Sequence, residues 1–236
     1  MADSVDKAHY RFWPKRLPKN ITPPQTALWD NLATSARRYP GKTAINFFGR
    51  QISYAQLMAQ AEAFASYLHS MGVQRGDRVV LLMQNCPQLV IAHFGILRAN
   101  AVVVPVNPMN RAEELKHYII DPDTRVALTT ADLAADLAQA SNALPPEQRL
   151  KHLVITHFTD VFDPEVVTSD DLPETWRAWL LPQRESPVLM SGQVHDWSSL
   201  MSQSQTIDLP APQAGPDDLA VLPYTSGTTG LPKGCM

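Results

Sequence analysis

Cysteine is nearly absent from this chain: Cys86 and Cys235 are the only two in 236 residues, and they form no C-x-x-C pattern. That excludes a disulfide framework and a thiolate zinc site. No apolar run comes near the roughly 20 residues that a membrane-spanning helix requires, and the first residues lack the apolar core of a secretory leader. The expectation is a soluble cytoplasmic protein. An excess of positive charge is missing too, with a net charge of -3 and a pI near 6.1, so no nucleic-acid partner is expected. The one basic segment carries Lys7, Arg11, Lys15, Arg16 and Lys19 among Tyr10, Phe12 and Trp13. Its two prolines and lack of helical period predict an extended arm on the body, with at most peripheral membrane contact. The histidines are scattered, and the closest pair, His152 and His157, brackets a strand-like run without metal-ligand spacing; no structural metal is expected.

What the chain does contain is an alternation of apolar runs and helical periods. Apolar residues make up 44% of the sequence, enough for one large α/β domain or two small ones. Ser53 and Gln56 make a capping-box pair, and Leu57, Ala61, Phe64, Leu68 and Met71 repeat at helical spacing until Gly72. Val79 to Met83 reads as a buried strand. Pro87 opens a second helix behind Cys86, which reads as a small buried filler. Ala101 to Val106 is apolar on both faces, the mark of a parallel strand covered by helices. Asn110 is expected to cap a helix with Glu113; a strand near 125–129, a helix over 131–143 and a strand over 150–156 follow. This β-α-β succession predicts an α/β fold with a doubly wound, mostly parallel sheet flanked by helices. From His157 to Pro216 prolines break the pattern, leaving short helices around 176–181 and 196–201. The apolar patch Trp176, Trp179, Leu180 and Leu181 is read as packed on its own domain. Three units are expected: an N-terminal arm with a first helix and strand (1–50), an α/β subdomain ending in a proline-rich stretch (51–216), and a strand with a loop opening a next, truncated subdomain (217–236).

Glycine is scarce, with ten in the chain, yet three fall within Tyr224 to Gly234, YTSGTTGLPKG. Glycine lets backbone N–H groups approach a polyphosphate. Thr225, Ser226, Thr228 and Thr229 add hydroxyl donors, and Lys233 a compact charge beside the restricted Pro232. Such a cluster following the apolar run 219–222 is by composition a surface turn or a phosphate cradle. It is not the G-x-x-x-x-G-K-[ST] loop, because Pro232 precedes the lysine and Gly234 follows it. Gly41-Lys42-Thr43 also misses that pattern, with Ala36 where its first glycine belongs.

The complete eleven-residue string resembles the phosphate-binding signature of the adenylate-forming enzymes: acyl- and aryl-CoA synthetases, luciferases and peptide-synthetase adenylation domains. Three upstream blocks resemble the family in the expected order: Ile52 to Leu57, Gly72 to Gln88, and Gly95 to Pro108. One departure is Asn100, where the family usually has glycine. Val104-Pro105-Val106-Asn107-Pro108 looks like the CoA ligases. The opening from His9 to Gly49 is most similar to medium- and long-chain fatty acyl-CoA ligases.

The resemblance implies an enzyme that joins a carboxylic acid, a fatty acid by preference, to AMP and passes the acyl group to coenzyme A. ATP with magnesium and coenzyme A are the implied cofactors, and a homodimer is admitted. Thr225, Ser226, Gly227, Thr228, Thr229, Gly230 and Lys233 would bind the phosphates, with Lys233 the catalytic residue. The family continues for several hundred residues beyond such a loop, so this chain is expected to be an N-terminal portion, inactive by itself. An aryl-acid ligase, another adenylating enzyme, a non-catalytic nucleotide-binding module and an interaction domain stay open as alternatives.

Overall fold

The arrangement is visible in one strand, β3 (Arg78–Leu82), whose alternate residues enter two different apolar clusters. Val79 and Leu81 pack toward one face of the sheet and Val80 and Leu82 toward the other, so the strand is apolar throughout because both faces are covered. The computed structural model describes residues 8–162, 173–181, 184–202, 209–225 and 231–236. Within these, a five-stranded parallel sheet has the order β4 (Val102–Val106), β3, β5 (Val126–Thr130), β6 (His152–Thr156) and β7 (Gln193–Asp196). A hairpin of β1 (Thr43–Phe47) and β2 (Arg50–Ser53) stands apart from it.

Helices α1 (Trp29–Arg38), α2 (Tyr54–Ser70) and α3 (Pro87–Arg98) cover the first face with Leu32, Phe64, Leu68, Ile91 and Ile96. Helices α4 (Ala112–Ile120) and α5 (Ala134–Asn142) cover the second with Leu115, Ile119 and Leu137. The doubly wound sheet expected from the sequence is the one observed. Ser53 and Gln56 cap α2 reciprocally at 3.2 and 2.9 Å, and Gly72 ends it with φ +86°. A Cβ on Gly95 would sit 2.9 Å from the Ala61 carbonyl, so glycine is what lets α3 lie against α2.

Three local expectations are corrected. Asn110 is not the cap of α4: the helix starts one residue later, and the Glu114 carboxylate accepts the Arg111 backbone N–H at 2.9 Å. The N-terminal segment is not simply extended. Residues Ala8–Phe12 form a 3-10 turn, and the Tyr10 hydroxyl donates to the Lys19 carbonyl at 2.8 Å, closing the arm on itself. Strand β7 went unread because QVHD has no apolar run; it is a short edge strand placed by β6, with Gln193 N–H donating to the Lys151 carbonyl at 2.8 Å. Beyond it Trp197 on α7 (Trp197–Ser202) packs tilted on Phe64, ring centroids 5.1 Å apart.

Only part of the aromatic patch packs on the body: Leu180 is buried and Trp179 half-buried, whereas Trp176 and Leu181 stay exposed. On α6 (Glu174–Leu180), Trp179 tilts against Phe158 at 4.8 Å and donates to Asp132 at 3.2 Å, while Trp176 meets the edge of Phe48. Cys86 is buried at the start of α3, and burial pushes its thiol pKa up to about 11, which outweighs the backbone N–H groups that pull it down.

Asn100 does two jobs that glycine would divide. Its φ of +60° is the left-handed conformation that glycine adopts freely and asparagine tolerates. Its Oδ1 accepts the backbone N–H groups of Gln213 and Ala214 at 2.7 and 3.1 Å, tethering the segment that follows the proline-rich stretch. Asn100→Ala removes both and should lower the unfolding free energy by about 1–3 kcal/mol in urea titration, and Asn100→Gly by less. An Asn100→Ala chain as stable as the parent would contradict this account.

A second prediction concerns acid. His152 and His195, on β6 and β7, share a hydrogen bond between Nδ1 and Nε2 at 3.0 Å. Burial lowers both pKa values, and for His152 the charge of His195 adds to the effect; burial also lowers His93. Below the ordinary value of 6.5 the unfolded chain therefore binds more protons than the folded one. Stability is full above that pH and is lost as pH falls through the depressed native values. The urea midpoint should drop between about pH 7.5 and about pH 5.5, and His195→Gln should shrink the drop. An equal drop in the variant would remove the histidines from the explanation.

Candidate phosphate-binding site

The site is reached along a series of anchors that carry the chain back to the sheet. Arg98 donates to the Pro210 carbonyl at 2.7 Å, Asn100 holds Gln213 and Ala214, and Arg75 grips Asp218 at 2.8 Å. The Gly215 N–H and then Arg75 hold the Asp218 carboxyl below its ordinary pKa. Val103 on β4 then donates to the Ala220 carbonyl at 2.9 Å and accepts from the Leu222 N–H at 2.8 Å, a parallel bridge centred on Val221. The chain thus rejoins the sheet at Val103, near the amino end of edge strand β4, and runs on parallel to it. The general expectation for an open α/β sheet places a ligand at the switch point, here between β3 and β5. The loop instead emerges on the far side of β4.

Two short strands close the base of the loop: β8 (Tyr224–Thr225) runs antiparallel to β9 (Lys233–Gly234). Thr225 faces Lys233, Tyr224 faces Gly234, and the Cys235 N–H donates to the Pro223 carbonyl at 2.8 Å. Directly opposed residues of such a pair project to the same side. The Thr225 hydroxyl and the Lys233 ammonium therefore share one face. Ser226, Gly227, Thr228, Thr229 and Gly230 lie outside the described residues. Lys233 is exposed, and no carboxylate pairs with it among the described residues. Among the described residues no cluster of three His, Cys, Asp or Glu could hold a metal.

Helix α4 braces this base. The Tyr224 hydroxyl donates to Asp121 at 2.5 Å, and its ring meets Tyr118 edge on at 5.0 Å. Burial first, and then the Asp121 carboxylate, raise the Tyr224 pKa, so the phenol is a donor at neutral pH. His117 Nε2 lies 2.6 Å from the Pro232 carbonyl. Beside Lys233, a cavity of about 550 Å³ opens between Leu222, His117 and the second arm of the loop. Sequence reasoning missed His117 and Asp121. They lie four apart on one helix face, but no local pattern ties them to residues more than a hundred positions later.

Comparison with known proteins gives one answer at three levels. A family profile described as "AMP-binding enzyme" matches residues 32–236. A long-chain-fatty-acid–CoA ligase of Bacillus subtilis (strain 168) is 34% identical over 231 residues, 95% of this chain and 38% of its own length. The ligase of the same description from Escherichia coli O6:H1 is 30% identical over 226 residues, 95% of this chain and 39% of its own. The anthranilate CoA ligase AuaEII, solved in complex with anthranoyl-AMP, superposes with a TM-score of 0.64 over 90% of this chain and 35% of its own, at 23% identity; that likeness is one of fold. The chain spans about two fifths of the length of the curated relatives it matches.

The two cysteines report on this geometry. Cys235 is exposed beside Thr225 and Lys233, whereas Cys86 is buried with a raised pKa. Iodoacetamide at about pH 8 should therefore label one thiol per native chain, at Cys235, and two after denaturation. Equal labelling of both in the native protein would show that α3 does not bury Cys86.

Proposed function

The chain belongs to the AMP-binding enzyme family, and from that premise we propose that it is the phosphate-holding portion of an ATP-dependent acid–CoA ligase whose acid is a fatty acid. The single observation that carries the reading is the pairing of Thr225 with Lys233 at the closed base of the loop. It sets a hydroxyl donor and a cation that meets no carboxylate among the described residues on one face, where the β- and γ-phosphates of ATP would lie. The choice of a fatty acid rests on the two ligases named above.

In the reaction so assigned, a carboxylate oxygen of the acid attacks the α-phosphorus of ATP, and the bond to the bridging oxygen of the β-phosphate breaks. Pyrophosphate leaves with that electron pair, and the acid becomes an acyl-AMP. The sulfur of coenzyme A then attacks the acyl carbon and AMP departs. Negative charge grows on pyrophosphate during the first step, so donors fixed around it stabilise the transition state more than the ground state. Lys233 supplies a charge for this. Thr225, with Ser226, Gly227, Thr228, Thr229 and Gly230, supplies hydroxyl and backbone donors. Magnesium, when bound, would neutralise phosphate charge, and within this chain the Thr225 hydroxyl is one group that would coordinate it.

The test is acid-dependent ATP–pyrophosphate exchange in the full-length protein, with palmitate and benzoate offered as acids. Lys233→Ala should cut kcat/KM by about 10²–10³, the cost typical of losing a donor to developing charge. Unchanged exchange in that variant would sink the assignment of Lys233. A preference for benzoate would replace the fatty acid with an aryl acid.

A further inference from the structure

Helix α4 reaches both arms of the loop, with two polar contacts among the described residues: Asp121 with the Tyr224 hydroxyl on the entering strand, and His117 with the Pro232 carbonyl before the leaving one. His117 and Asp121 are four residues apart and so lie on one helix face, about 6 Å apart along the axis. Paired strands are about 4.8 Å apart. One helical turn therefore spans the two strands of the loop base. Leu222 and Tyr224 pack in the same apolar cluster as Leu115 and Ile119 of α4, so the helix is already seated against the entering arm. The His117 ring also meets the Tyr224 ring edge on at 5.7 Å.

From this arrangement we propose that His117 is a positioning residue: its hydrogen bond to the Pro232 carbonyl sets the direction in which Lys233 points, and so the fit of the loop to pyrophosphate. The inference rests on the phosphate-binding reading given above. A carbonyl oxygen only accepts, so His117 Nε2 carries the proton and donates. The Pro232 carbonyl and the Lys233 N–H belong to one planar trans peptide, in which the two groups point in opposite directions. The proline ring fixes the N–Cα rotation of Pro232, so the Cα–C rotation that turns that plane is the one the hydrogen bond holds. Once His117 holds the carbonyl toward α4, the Lys233 N–H faces away from the helix, and the Cα–Cβ bond of Lys233 follows. Thr225, its ladder partner, is fixed from the other side through Tyr224 and Asp121. The loop's two arms are then held to one rigid element, and Thr225 and Lys233 keep their spacing before a ligand arrives, which is what preorganisation requires.

Two variants separate this role from simple packing. His117→Phe keeps an aromatic ring against Tyr118 and Tyr224 and removes the donor; His117→Gln restores an N–H at similar reach. In the 236-residue chain, amide hydrogen exchange at Lys233 and Cys235 should quicken about five- to tenfold in His117→Phe and return to within about twofold of the parent in His117→Gln. Exchange in β3 and β5 should stay unchanged. In the full-length protein, His117→Phe should lower kcat for ATP–pyrophosphate exchange by a similar factor and leave KM for the acid unaltered, with Gln again rescuing. If His117→Phe does not fold, His117→Leu, which also removes the donor, gives the same readout at Lys233 and Cys235. Parental exchange at Lys233 in His117→Phe, or a loss that His117→Gln fails to restore, overturns the proposal. An inactive or indifferent Lys233→Ala enzyme bears on the phosphate reading alone, because the exchange measurement needs no ligand.

Discussion

Two backbone hydrogen bonds, from Val103 N–H to the Ala220 carbonyl and from Leu222 N–H to the Val103 carbonyl, join the last part of the chain to the edge of the sheet. Without them β4 would be an open edge with unpaired groups facing away from β3. With them, the segment from Ala220 gains the alternation of a strand: Val221 packs with the α2 and α3 face, and Leu222 and Tyr224 with the α4 face. The position of the loop base formed by β8 and β9 follows from that register. A shift of one residue would turn Tyr224 away from Asp121 and Leu222 away from Leu115.

Helix α4 consequently serves two purposes at once. Leu115 and Ile119 close the core over the sheet, and His117 and Asp121, on its adjacent edge, meet the loop. A mobile phosphate loop must order itself against a ligand at an entropic cost. A loop whose two arms are paired with each other and pinned to a core helix has paid part of that cost in folding. The long approach through Arg98, Asn100 and Arg75 contributes in the same way, by fixing residues 210–218 before the sheet is rejoined.

Much of the architecture was legible because it rests on periodicities. The apolar residues of α2, the unbroken valines of β4 and the capping pair Ser53 and Gln56 each point to one local structure, and the fold agrees with all of them. The loop from Tyr224 to Gly234 stood out for another reason: its glycines, hydroxyls and lysine match a family signature, while composition alone reads equally as a surface turn. What escaped was whatever depends on a distant partner. QVHD is a strand only because β6 offers it a ladder, and Asn110 lost the cap position of α4 to Arg111, whose N–H the Glu114 carboxylate accepts. Asn100 looked like a departure from glycine, yet its side chain holds a segment over a hundred residues away.

The sequence by itself determined the main helices and the buried parallel strands with both sheet faces covered, because these rest on patterns among neighbours along the chain. Tertiary structure alone decided which edge strand receives the returning segment and which helix holds the loop. The reason is physical: a hydrogen bond between His117 and Pro232, or between Asp121 and Tyr224, has no energy until the fold has brought together groups that are separated by more than a hundred residues.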